Sequence, residues 1–220
     1  MDILKYLHKL KNKHGFTLVE LIVVVAIIGV LAAILTPMMI GVVIKARVTS
    51  ANSTAKGIKN GADVMIAYAN ATYFSGINRG IHVFNITVNT SKGKTTWTCS
   101  AAESSDFFNS GDLTWGSGGT FVTGDDPDSV TTGEGYICAA LSDTMSSLHK
   151  GSIVVVLANG KCTFVAYTQN TSDAIPETEY PPIVDGIPPL EFEWDGNTEG
   201  VSPKGWVIGT YPQIAITKKK

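Results

Sequence analysis

Glu20 stands where a carboxylate is hard to keep charged. It lies at the leading edge of the run LIVVVAIIGVLAAILTPMMIGVVI, in which no residue from Leu21 to Ile44 is charged. A carboxylate at the centre of a membrane helix costs roughly 2.5–3.5 kcal/mol, and an ordinary membrane anchor gives no reason for one at its start. The other reactive side chains are sparse. Cys99, Cys138 and Cys162 all follow the apolar run, none in a C-x-x-C pair. Zinc is disfavoured by that spacing. In an exported chain, three cysteines make one disulfide and one spare thiol, with all three pairings open, while three buried reduced thiols are the plain alternative. Asp125, Asp126 and Asp128 in GDDPDS offer oxygens for calcium, but without the EF-hand spacing or its glycine. The histidines are His8, His14, His82 and His149, and no G-x-S-x-G, P-loop or H-E-x-x-H occurs. No catalytic set is expected, and the chain reads as a non-enzyme.

The elements that position these residues follow from patterning. The chain has 220 residues, 44% hydrophobic and 16% charged, with a formal net charge of −2. Residues 1–15 hold four lysines against Asp2, a net +3, which leaves −5 on the remainder. That balance offers no basic surface to nucleic acid. The apolar run exceeds the roughly 20 residues a bilayer needs, and it is too long for a secretory signal peptide. Pro37, with Gly41, is where the helix is expected to kink or loosen. Beyond it, Ile44, Val48, Ala51, Ala55, Ile58, Ala62, Met65, Ala69 and Tyr73 recur at spacings of three and four, one helical face of mostly small residues. The spacing predicts a single helix from Phe16 to about Phe74, stopped by Ser75-Gly76.

The stretch Gly15-Phe16-Thr17-Leu18-Val19-Glu20, preceded by lysines and followed by the aliphatic run, resembles the cleavage and assembly motif of type IV prepilins. The likeness covers residues 1–50 closely and the rest only in layout. It implies that a membrane peptidase cuts between Gly15 and Phe16 and that the new Phe16 amine is N-methylated. Glu20 would then lie one turn from the new amino terminus, where the helix dipole favours an anion, and would pair with a Phe16 amine, its own or a neighbour's, during assembly. The implied organisation is a leader over 1–15, a membrane and filament-core helix over 16–44, an amphipathic helix over 45–74, and an α+β head over 75–220. The implied partners are the prepilin peptidase, the pilus assembly machinery, the cytoplasmic membrane before assembly with the N-terminus inside, and further copies of the chain in an extracellular helical filament. No cofactor is implied. A secretion or DNA-uptake pseudopilin, and a minor or adhesive pilin, share the same N-terminal features.

The head is expected to be an antiparallel sheet packed against the long helix, an α+β fold. IHVFNITVNT and KTTWTC flank Ser91-Lys92-Gly93 as a hairpin, and GSIVVVLA and KCTFVAYT flank Asn159-Gly160, a type I′ signal. Residues from about 110 to 133 read as loop, and Tyr136 to Leu148 as a short helix. Five prolines between 170 and 190 exclude a central strand, and LEFEW and GWVIGTYPQIAIT are candidate last strands. No cysteine follows Cys162, so the final 58 residues must hold without a disulfide of their own. Trp97, Trp115, Trp194 and Trp206 are candidates for a contact surface or for core.

Overall fold

A computed structural model describes residues 16–72, 80–101, 113–169, 174–196 and 198–220. The chain divides into two compact units, Met1–Val43 and Ile44–Lys220. Helix α1 (Leu18–Thr72) runs without interruption through Pro37 and Gly41. Proline has no N–H to offer the preceding turn, and there Thr36 donates its hydroxyl to the Ala32 carbonyl at 2.7 Å. In the first unit, every described residue from Phe16 to Val43 is exposed. Tyr73, Phe74, Ser75 and Gly76 lie outside the described residues.

In the second unit, the strands are β1 (Ile81–Ser91), β2 (Lys94–Ala101), β3 (Gly119–Val122), β4 (Gly151–Ala158), β5 (Lys161–Thr168), β6 (Glu191–Trp194), β7 (Ile208–Tyr211) and β8 (Ala215–Lys218). A second helix, α2 (Gly133–Thr144), precedes β4. Six strands form an antiparallel sheet in the order β3-β2-β1-β4-β5-β7. Both expected hairpins form. Lys92 and Gly93 join β1 to β2, and Asn159 and Gly160 join β4 to β5, all four at positive φ as a type I′ turn requires. The fold is the expected α+β.

Each face of this sheet has its own core. On one face, Ala51, Ala55, Ile58, Ala62, Met65 and Ala69 of α1 join Ile137, Cys138 and Leu141 of α2 over Phe84, Ile86, Trp97, Ile153 and Val155. The predicted stripe is buried from Ala51 to Ala69, with Ile44 and Val48 half-buried, and its small residues permit close approach. A Cβ at Gly209 of β7 would overlap the Ala51 backbone. Polar residues of α1 also accept strand N–H groups: Thr210 donates its N–H to Asn52 Oδ1 at 2.7 Å, and Cys162 its N–H to Asp63 Oδ1 at 3.3 Å.

On the opposite face, Val154, Val156, Phe164 and Ala166 are covered by Ile175, Tyr180, Trp194, Ile214 and Ile216. The tail without a cysteine is therefore held by packing, which also explains why β4 is buried along its whole length.

Three details differ from the sequence expectation. Part of the presumed loop is strand β3, because Thr96 to Cys99 of β2 recruit Gly119 to Val122 as an edge partner. The short helix starts at Gly133 and ends at Thr144: Thr132 caps it by accepting the Gly135 N–H at 3.1 Å. The last strands do not all join the main sheet, since β6 and β8 pair in parallel as a separate two-stranded sheet.

Candidate functional site

The start of α1 is held by a reciprocal cap. Thr17 is the N-cap and Glu20 the third helical residue. The Thr17 N–H and the Thr17 hydroxyl both donate to Glu20 Oε2, each at 2.8 Å, and the Glu20 N–H donates to Thr17 Oγ1 at 3.3 Å. This is a capping box, which satisfies donors that the helix itself leaves open. The sequence reading above overlooks it, although Thr-x-x-Glu before an apolar run is its sequence signature. Glu20 thus has a local structural task besides any task between chains. Its carboxylate sits on the Thr17 N–H, one residue from the Phe16 nitrogen. Phe16 is exposed, and Gly15, the other half of the expected cleavage site, lies outside the described residues.

The remaining candidates do not converge with this site or with one another into a reaction centre. His82 is buried near the start of β1, whereas His149 is exposed and its carbonyl accepts from Thr90 at 2.7 Å, near the other end of that strand. Positions 82 and 90 lie eight steps apart along the strand, about 25 Å. Asp125, Asp126 and Asp128 are all exposed. Asp126 Oδ1 accepts the Asp128 N–H at 3.0 Å, so this carboxylate caps the short 3-10 turn Pro127–Ser129. Among the described residues, no three His, Cys, Asp or Glu side chains converge as a metal-ligand set. Trp97 and Trp194 belong to the cores on opposite faces of the sheet, so the four tryptophans do not form one contact surface.

Burial and charge tune the head. Lys59 forms an ion pair with Asp63 one turn on along α1, and that hydrogen bond raises the lysine above its ordinary range. Burial pushes the Cys162 thiol up to about 12, with Asp63 adding to it, and burial lifts Tyr180 to about 12 with help from Glu177. Glu134, which the sequence reading does not single out, is fully buried. One of its oxygens accepts the Gly116 N–H at 2.7 Å, and its place in the first turn of α2 suits a carboxylate. All three cysteines are buried thiols in this structure.

Comparison with known protein families matches one region of the chain. Residues 10–36 match the prokaryotic N-terminal methylation motif, the type IV pilin and prepilin signature. Within this segment lie the expected cut, the capping box and about two thirds of the aliphatic run. Neither a curated protein nor a solved structure matches the chain. Proteins that carry this motif are structural subunits, and α1 is long and apolar enough to cross a membrane.

Proposed function

Because residues 10–36 carry the type IV prepilin signature, we propose that this chain is the structural subunit of a type IV pilus. The prepilin peptidase cuts between Gly15 and Phe16, and the new Phe16 amine is methylated. Residues 16–44 hold the subunit in the cytoplasmic membrane, N-terminus inside, until the assembly machinery extracts it into an extracellular helical filament of many copies. The observation that carries this reading is the motif joined to a helix whose aliphatic side chains, from Leu18 to Val43, all lie exposed. A bilayer accepts such a surface before assembly, and other copies of the same helix accept it afterwards.

Glu20 links the two stages. Before cleavage, its carboxylate closes the first turn by holding the Thr17 N–H and hydroxyl. Cleavage creates an ammonium one residue away, and a carboxylate surrounded by hydrocarbon needs such a partner. Removing one member of a buried ion pair costs about 3–5 kcal/mol, so pairing Glu20 with the Phe16 amine of an adjoining subunit favours a single register of assembly. Pro37 and Gly41 are where this helix would loosen as it enters the filament.

The decisive experiment is the mass of the N-terminal peptide from sheared and membrane fractions of the native host. A peptide beginning at methylated Phe16 in sheared filaments is the expected result. The same peptide confined to membranes would point instead to a secretion or DNA-uptake pseudopilin. An intact leader in cells with an active peptidase would overturn the proposal.

A further inference from the structure

Cys99 and Cys138 meet inside the head, and the sheet register explains why. Cys99 of β2 is directly opposite Gly119 of β3, and opposed residues of an antiparallel pair show their side chains on the same face. On that face β3 touches α2 with bare backbone: a Cβ at Gly119 would overlap the Gly135 backbone. Cys138 follows Gly135 by three residues, so it projects from the same side of α2. Both cysteines belong to the core between α2 and the sheet, at 1% and 0% exposure. The neighbouring Cys138 thiol, together with burial, raises Cys99 well above its ordinary range.

Cys162 is excluded from the pair by topology. In the order β2-β1-β4-β5, β5 lies three strand spacings from β2, roughly 14 Å, whereas bridged cysteines have Cα atoms within about 7 Å. The register widens the gap, because Cys99 faces Ile86 on β1 and so leads to Ile153 on β4, while Cys162 faces Leu157. The Cys162 thiol instead donates to the Phe164 carbonyl at 3.8 Å.

We propose that Cys99 and Cys138 are oxidised to a disulfide tying β2 to α2, and that Cys162 stays a thiol. The bond forms by exchange with a disulfide-bearing thiol oxidase. A thiolate of the pair attacks a sulfur of the oxidant, and the second cysteine then displaces it. Two protons leave, one S–S bond forms, and the two electrons reduce the oxidant to its dithiol. Because both sulfurs are enclosed in the finished head, exchange occurs before α2 closes over β2, and the completed bond resists reductants afterwards. The inference rests on the reading that the head is exported to an oxidising compartment.

The test quenches cells in acid, alkylates the full-length chain in denaturant without reductant, then reduces it and applies a second label, with external protease scoring export of the head. One thiol of the three, Cys162, should take the first label, and Cys99 and Cys138 the second. First label on all three in a head that protease reaches would overturn the inference. A head that protease does not reach condemns the export reading instead. The purified full chain, refolded in detergent with a glutathione redox pair, then decides the pairing. A Cys99–Cys138 link there supports the inference, and a link through Cys162, or none, overturns it. In Cys162→Ser the same bond should persist, and reduction in denaturant before refolding without oxidant should lower Tm by about 5–15 °C.

Discussion

Two stretches of α1 differ in what their side chains meet, although the helix is unbroken. From Leu18 to Val43 every residue is exposed and most are aliphatic. From Ala51 to Ala69 the buried positions are mostly alanines and glycine at one face, while Lys56, Asn60 and Asn70 face water. The second stretch buries less apolar surface per residue but finds its partner inside its own chain. The first carries far more apolar surface and leaves it without one. Large aliphatic side chains on all sides suit a surrounding that is apolar on all sides, as in lipid or among like helices. A narrow stripe of small residues suits one flat sheet. Side-chain size and its distribution around the helix therefore separate contacts made within the chain from contacts made beyond it.

The strongest way to break this contrast is to spoil the close approach in the second stretch. Gly209→Val should cost about 3 kcal/mol or more, since its side chain would occupy the Ala51 backbone and neither element can yield easily. A lowered urea midpoint, with cleavage at Gly15–Phe16 unchanged, is the expected pattern.

A paired substitution sharpens the contrast. Ile58 is fully buried, and Ile58→Ala should destabilise the head by about 3 kcal/mol. Ile28 is exposed, and Ile28→Ala should leave the same unfolding midpoint within about 0.5 kcal/mol while reducing filament yield. Equal effects of the two on unfolding would abolish the distinction.

At the head of the helix, capping and assembly make different forecasts. Thr17→Ala and Glu20→Ala each remove part of the capping box, a loss of about 1 kcal/mol to the first turn. If capping were the whole role of Glu20, the two variants would give similar filament yields, with cleavage intact in both. The pairing role requires Glu20→Ala to fall well below Thr17→Ala, read as subunit in the sheared fraction.

The last effect is a pH dependence. Burial raises the Cys162 thiol to about 12 in the folded head, above its unfolded range near 8.5. The protonated form is thus favoured by folding. This contribution is complete below about pH 8.5 and is lost progressively from there toward pH 12. Between pH 8 and 10 it should remove about 1–2 kcal/mol, and Cys162→Ala should flatten that part of the profile in urea titrations.

Much of the molecule is legible from residue order alone, where local chemistry decides the outcome. Asn159-Gly160 and Lys92-Gly93 adopt the positive φ values their turns need, because those residues pay little steric penalty there. The stripe from Ala51 to Ala69 is buried as its spacing requires. The Thr17–Glu20 box was equally legible, three residues apart before an apolar run, yet it yields to notice only when the carboxylate is considered as a cap as well as a charge.

Other features depend on partners distant in sequence. GTFV carries too little pattern to mark a strand and becomes β3 only because β2 presents an unpaired edge. The run KCTFVAYT alternates evenly to the eye, but the register shifts between Val156 and Leu157, placing Cys162 and Phe164 on opposite faces. A bulge redirects a side chain according to the strand it pairs with, which a single strand does not encode. Which two of three cysteines meet is of the same kind, since it follows from strand order and from bare glycine contacts between β3 and α2. Sequence by itself determined the processing motif, the apolar helix and the tight turns, because each is written in neighbouring residues. Tertiary structure alone decided the second core, the added strand and the company each cysteine keeps, because these arise from surfaces that exist only once the chain has folded.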